Sequence, residues 1–307
     1  MTTFPRPLVP ITGPFRSAKV TGAADGMGTY GDATRELVAG GRLPPDLICG
    51  MTLALIAQQP REPRKGRPER ASGVAGNVWV RERFTIHRPV ALDDAWTVEG
   101  EQTGTYVRKG RTHSTTASRS SDSAGRRFAT NLTTGLIGYR ADPGKPDSVE
   151  GLPLEDTPSP GPDFEAAAAN PCLDALGSLT LGQRLGDVEV PMTLAMMAAR
   201  DTDNPDNPIH SDLEEAKKAG LARPIAGGSH VLSFALEAVM GSCGVESLLH
   251  GANFDVRWKA PTEDDTTIVP SAVVDAVEAD RVEFALQVDL VDGPTVMVGR
   301  LIIPLPQ

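Results

Sequence analysis

Over much of the chain apolar positions recur at every second residue. The segments GEQTGTYVRKG (100–110), RTHSTTASRS (111–120) and RFATNLTTGLIGY (127–139) alternate in this way and are rich in Thr and Val. So are VPSAVVDAV (269–277), DRVEFALQVDLV (280–291) and TVMVGRLIIPL (295–305). Period-two alternation with β-branched enrichment predicts antiparallel strands, joined by tight turns such as DSAGR (122–126) and VDGP (291–294). Two stretches break the pattern. ICGMTLALIAQQ (48–59) and GGSHVLSFALEAVMGS (227–242) are apolar almost all round, with no wide charged face. Helices of that composition are buried.

The two strand blocks are related. FTIHRPVALDDAWTV (84–98) and FDVRWKAPTEDDTTIV (254–269) both open on Phe, pass a Pro, reach an acidic pair and enter a β-branched run. The acidic pairs are Asp93-Asp94 and Asp264-Asp265, and the offset is about 170 residues. Each block follows one of the apolar helices. A helix followed by several long antiparallel strands is the hotdog plan, so the chain reads as an α+β double hotdog. Each half is a central apolar helix wrapped by an antiparallel sheet. The stretch 141–165 is dominated by Pro, Gly, Ser and Asp and reads as a linker. The organisation is thus a first half over 1–145, a linker over 146–165 and a second half over 166–307.

Candidate chemistry lies in 200–230, RDTDNPDNPIHSDLEEAKKAGLARPIAGGSH. Two Asn-Pro pairs (204–205 and 207–208) disfavour helix before each Pro, so the backbone there is turn-rich. Asp201, Asp203 and Asp206 fall on this loop. Ser211 and Asp212 then offer N-cap chemistry for a short helix, DLEEAKKAG, with Glu214 and Glu215 in its first turn and Gly220 ending it. Gly227 and Gly228 open the buried helix, where first-turn N–H groups are free. A carboxylate and the His210 imidazole can together activate a water. The helix-start amides can stabilise an oxyanion.

This stretch resembles the signature of the MaoC-like, (R)-specific enoyl-CoA hydratases, whose pattern is Asp-x-Asn-Pro-x-His-x-Asp, then Ala and Gly, then Pro-Ile-x-His-Gly. Asn207-Pro208-Ile209-His210-Ser211-Asp212 matches its core. Ala216, Gly220, Pro224-Ile225 and Gly228 match its continuation. The resemblance implies a catalytic His210 and an oxyanion-holding amide at Gly228; Asn207, Ile225, Gly227 and Ser229, on the same stretch, are taken as substrate contacts. The reaction implied is reversible addition of water to a trans-2-enoyl-CoA, giving a (3R)-hydroxyacyl thioester. It needs no cofactor beyond the thioester carrier of the substrate, and no metal.

The chain departs from the pattern at two places. The family's acidic residue, five positions before its His, is here Pro205; Asp206 is taken first as the acid–base partner and Asp203 second. Gly227 stands where the family often has His. The first half has no such motif. Its counterpart of the catalytic loop is GMGTYGDATREL (26–37), its counterpart of Gly227 is read as Cys49, and it is expected to be non-catalytic, as in double-hotdog hydratases where one half opens room for a bulky acyl chain. Two other functions stay open: an acyl-CoA thioesterase and an acyl-CoA-binding subunit without turnover.

Other residues give weaker signals. His230 reads as a core histidine, His87 as a solvated or cross-strand group, His113 as a member of a Thr/Ser-rich strand with groove lining as the lesser reading, and Cys49 as a buried thiol. The basic run REPRKGRPER (61–70) reads as a loop or an anion site. The chain has 307 residues and a net charge of -10, a poor balance for a nucleic-acid partner. No run approaches the ~18 apolar residues of a membrane span. Three cysteines, far apart, fit reduced thiols and a cytoplasmic setting. The expected partner is a small acyl thioester, and the expected assembly a monomer or homodimer.

Overall fold

The repeat becomes physical at the middle of the sheet. Strand β3 (Asn77–Ile86) pairs antiparallel with β10 (Asn253–Trp258), and the register sets Phe84 opposite Phe254. The two rings that open the sequence repeat lie 4.2 Å apart, nearly parallel. An ion pair crosses the same seam, with Arg81 Nη2 2.6 Å from Asp255 Oδ2 and Nε 2.8 Å from Oδ1.

The computed structural model describes residues 4–14, 31–59, 77–137, 141–151, 159–200 and 208–306. Within these, one thirteen-stranded sheet runs through both halves. From β3 it continues outward through β6 (Arg127–Ile137), β5 (Arg111–Asp122) and β4 (Ala95–Arg108). From β10 it continues through β13 (Thr295–Pro304), β12 (Arg281–Leu290) and β11 (Thr266–Val277). Short strands finish both edges. β1 (Arg6–Pro7), β2 (Ile11–Pro14) and β7 (Ser148–Gly151) pair with β4, while β8 (Arg184–Gly186) and β9 (Val190–Met192) pair with β11. Part of the expected linker is therefore strand, because β7 lies on β4 with Val149 opposite Tyr106. Its later part crosses the seam, where Gly161 O accepts from Thr85 Oγ1 and Pro160 O from Asn253 Nδ2. Asp163 Oδ2 meets His87 Nδ1 at 2.7 Å, and the same ring reaches Thr130 Oγ1 through Nε2 at 2.9 Å.

The first half contributes α1 (Asp32–Ala39), α2 (Pro45–Cys49) and α3 (Met51–Ala57). Gly50 joins the last two with helical angles, and Ala54 N–H still reaches its carbonyl. This central helix begins at Pro45 behind Pro44, not at Cys49. Pro is well suited to a first turn that needs no N–H. Pro44 thus takes the place in the first half that Gly227 has in the second.

The second half contributes α4 (Phe164–Ala167), α5 (Leu173–Gly177), α6 (Leu194–Arg200), α7 (Leu213–Ala219) and the long α8 (Gly228–Cys243). Eleven of the sixteen residues of α8 are buried, in keeping with its composition. The two halves are also clasped through helices. Glu237 of α8 accepts from Ala33 N and Thr34 N at 2.6 and 3.0 Å, capping α1 from outside its own sequence.

Candidate active site

His210 ends a single 3₁₀ turn, Pro208–His210. The turn is fixed on both sides. Asp212 caps α7 by accepting from Glu214 N and Glu215 N at 2.8 and 3.0 Å, and Gly220 ends that helix at φ 90°. In the left-handed region a Cβ is costly, so glycine is the natural residue there. Ile225 N donates to Ile209 O at 3.2 Å, and the Ile225 side chain packs with Ile209, Ala216 and Leu221. Ile225 O lies 2.6 Å from His210 Nδ1. A carbonyl can only accept, so Nδ1 carries the proton in that bond and Nε2 is the basic nitrogen of the neutral ring.

Three residues further on the chain enters α8. Gly227 caps it with extended angles (φ -62°, ψ 143°), and its carbonyl accepts from His230 N and Val231 N at 2.9 and 3.1 Å. The amides of Gly228 and Ser229 precede any i→i−4 acceptor, which is the donor pair that a helix start offers. Gly228 lies under two stacked indoles, Trp79 of the first half and Trp258 of the second, 5.2 Å apart. A Cβ at Gly228 would come within 2.8 Å of Trp79 Cε3 and 2.9 Å of Trp258 Cε2. Trp258 Nε1 donates to Gly228 O at 3.0 Å, which fixes the orientation of the Gly228–Ser229 peptide.

The helix start is also tied to the first half by Arg200, the last residue of α6. Arg200 is 1 % exposed. Its Nη2 pairs with Asp46 in the first turn of α2 and lies 3.3 Å from Ser229 Oγ.

Of the residues singled out in the sequence, His210, Ile225, Gly227, Gly228 and Ser229 come together at this junction. Asp203, Pro205, Asp206 and Asn207 lie outside the described residues, as does the basic run 61–70. Cys49 is a buried thiol whose pKa is pushed up by burial first and by Glu82 and Asp46 next, which disfavours the thiolate that nucleophilic chemistry needs. His230 is buried within α8 against Phe234. His113 stacks on Tyr106, at 4.3 Å between ring centres, and burial lowers its pKa. Sequence reasoning passed over Arg200, Trp79 and Trp258. Only the position of Trp258, four residues after the repeat's Phe254, pointed toward it. Among the described residues no group of three or more His, Cys, Asp or Glu side chains could hold a metal, and no helix is long and apolar enough to cross a membrane.

No protein-family model and no curated protein matches the sequence. Solved structures do match the fold. A MaoC-like dehydratase aligns at TM-score 0.66 and 16% identity, covering 96% of this chain and 97% of its own. A Mycobacterium tuberculosis protein described as a double hotdog aligns at TM-score 0.63 and 16% identity, over 96% of this chain and 94% of that one. The fold is a double hotdog, shared with the MaoC-like dehydratases. The full-length peroxisomal multifunctional enzyme type 2 of Drosophila melanogaster aligns at TM-score 0.64 and 16% identity, over 96% of this chain and 48% of its own. The double hotdog thus spans essentially the whole of this chain and about half of that enzyme.

Proposed function

We propose that this double hotdog hydrates a trans-2-enoyl thioester, or dehydrates the (3R)-hydroxyacyl thioester in the reverse direction. The observation that carries the reading is the His210–Ile225 hydrogen bond. It presents Nε2 as a base, and it ties that base to the segment that leads, three residues later, into the Gly228 helix start.

His210 Nε2 and a carboxylate from the preceding loop, Asp206 or Asp203, hold a water between them. The water oxygen bonds to C3 as one of its protons passes to the base. The carbon–carbon double bond becomes an enolate, whose oxygen is held by the N–H of Gly228. C2 then takes the proton that the base received, so one water has been added and both side chains return to their starting charge. The Trp258 bond to Gly228 O fixes the adjoining Gly228–Ser229 peptide, so the helix start that carries the Gly228 N–H is set before charge develops and little reorganisation is needed during the reaction. A coenzyme A or protein carrier supplies the thioester; no other cofactor is required by this chemistry.

The test follows the ultraviolet band of crotonyl-CoA and of a longer trans-2-enoyl-CoA, with wild type beside His210→Ala. Loss of the band with wild type, reduced about a hundred- to ten-thousand-fold in the variant, is the expected result. Loss that persists in the variant would remove His210 from the mechanism. Release of free thiol from a saturated acyl-CoA would replace hydration by thioester hydrolysis.

A further inference from the structure

The 170-residue repeat allows the two interiors to be compared position by position. On the face of the sheet that meets the central helix, the second half carries Ala252, Val282, Phe284, Leu286, Leu301 and Ile303, all buried. The strand registers make their first-half counterparts Glu82, Thr116, Ser118, Ser120, Asn131 and Thr133, also buried. An apolar core has been replaced, residue for residue, by hydroxyls, an amide and a carboxyl. The fold does not require this, since its own second half does without it.

The polar groups do not fully satisfy one another. Asn131 Nδ2 donates to Glu82 Oε1 at 2.9 Å, and Thr52 of α3 meets Ser118 Oγ at 2.7 Å. Asn131 Oδ1 and Ser120 Oγ are buried with no hydrogen-bond partner among the described residues, and so is Trp79 Nε1, while Glu82 Oε2 has only Thr133 beside it, outside good hydrogen-bond geometry. A bulge between Trp79 and Arg81 puts Trp79 and Glu82 on the same face. These orphaned groups therefore form a row. It starts at the indole that abuts Gly228 and passes Gly50, where a Cβ would lie 3.9 Å from Trp79 Cη2. It ends at Glu82 and Asn131. Burial lifts the Glu82 pKa to about 8, with hydrogen bonding from Thr133 and then from Asn131 opposing in part. The group is then a neutral acid near neutral pH, able to donate as well as accept. Unpaired buried polar groups call for a partner, and departures from core-packing rules concentrate at functional sites.

We propose that the face of the first half running from Trp79 through Glu82 to Asn131 recognises a hydrogen-bonding oxygen, a hydroxyl or a carbonyl, on the acyl portion of the ligand beyond its thioester. The substrate class is thus an oxygenated acyl thioester and not a plain fatty one. This deepens the hydratase reading and rests on it for the location of the thioester end at Gly228.

Binding tests the proposal separately from turnover. Calorimetry would compare decanoyl-CoA with decanoyl-CoAs hydroxylated midway or at the terminal carbon, using wild type, Glu82→Gln and Glu82→Met. At least one hydroxylated ligand should bind wild type about tenfold more tightly than the plain chain. A site built for a hydroxyl discriminates against a ligand that leaves its polar groups unpaired. Glu82→Gln should keep most of that preference and Glu82→Met should lose it. Equal affinity of all three ligands for wild type overturns the proposal, whether or not either variant folds. So does a preference that survives in a folded Glu82→Met. Absence of hydration with any enoyl-CoA, alongside an intact preference for hydroxylated ligands, would sink the hydratase reading and leave this recognition surface standing.

Discussion

The two central helices begin in contrasting ways. The second-half helix opens on Gly227-Gly228-Ser229, with free amides in its first turn and no side chain between them and the indoles above. The first-half helix opens on Pro44-Pro45-Asp46. Pro45 has no N–H to offer at the position of Gly228, and the Asp46 carboxylate occupies the first turn at the position of Ser229. An oxyanion at this second start would meet a missing donor and a like charge. Arg200 spans the two starts, pairing with the carboxylate of one and reaching the hydroxyl of the other. One half thus uses its helix start for chemistry, on the proposed reading, and the other uses it as an anchor that keeps the first in place.

The most severe way to break this contrast is to give Gly228 a side chain. The Cβ of Gly228→Ala would fall under 3.0 Å from both tryptophans, so the indole stack must move and the Trp258 bond to Gly228 O goes with it. Activity should fall about a hundred- to a thousand-fold, the range seen on loss of one oxyanion donor. A crystal structure of the variant should show the indoles displaced. Undiminished kcat/KM would separate Gly228 from the reaction.

Next in size is the anchor. Asp46→Ala leaves the Arg200 guanidinium in the interior without that carboxylate. Removing one member of a buried pair typically costs about 3–5 kcal/mol. Urea unfolding should show the loss, and kcat should drop more than KM rises, because Ser229 and the helix start lose their brace. A loss below about 1 kcal/mol would mean that water reaches Arg200 easily.

The contrast between the interiors gives the third prediction. Glu82 is protonated in the folded chain up to about pH 8, whereas its unfolded carboxyl ionises near 4.5. Below the unfolded value both states hold the proton. As pH rises from there to about 8 the unfolded state alone gains a solvated charge, so stability falls through this window and levels off above it. Glu82→Gln does not titrate. Its denaturation midpoint should match wild type near pH 4, exceed it near pH 8, and remove most of the decline between. A wild-type midpoint that does not decline over this window, or a Gln variant that declines as steeply, would place the Glu82 carboxyl in contact with water.

Much of this was legible in the sequence, and the parts that were not share a cause. The repeat placed Phe84 and Phe254 in equivalent roles, and the structure pairs them. Period-two alternation found the long strands, and the apolar run at 227–242 found α8 to within a residue. These signals are local or periodic. The apolar run 48–59 misses the start of the first-half helix at Pro45, because apolarity marks a buried surface and not a terminus; the two prolines at 44–45 are the better sign. The Ser/Thr-rich alternation of β5 was visible, yet nothing in the sequence said that its polar side faces inward. Arg200, Asp46 and Ser229 are 154 and 29 residues apart in their two contacts, and no spacing rule reaches that far. The tryptophan stack is likewise a product of the seam and is absent from the repeat.

The smallest predicted effect concerns the helix that follows His210. Asp212 caps α7 with one carboxylate oxygen on two backbone amides, and the neighbouring Glu214–Lys217 and Glu215–Lys218 pairs lie on its surface. Surface pairs of this kind contribute little, so the cap is the main local determinant of where the helix begins. Asp212→Ala should cost about 1 kcal/mol of global stability. The functional cost should be larger than that figure suggests. Asp212 N–H and Ser211 N–H both donate to Pro208 O, so the cap and the turn that carries His210 share one backbone. Loosening the cap lets the imidazole leave the Ile225 carbonyl, and Nε2 then loses its fixed direction. Asp212→Asn, which keeps the accepting oxygen, should restore both stability and kcat, whereas Asp212→Ala should lower kcat several-fold at unchanged KM. Equal kcat in all three proteins would show that the Ile225 bond alone is sufficient to hold His210.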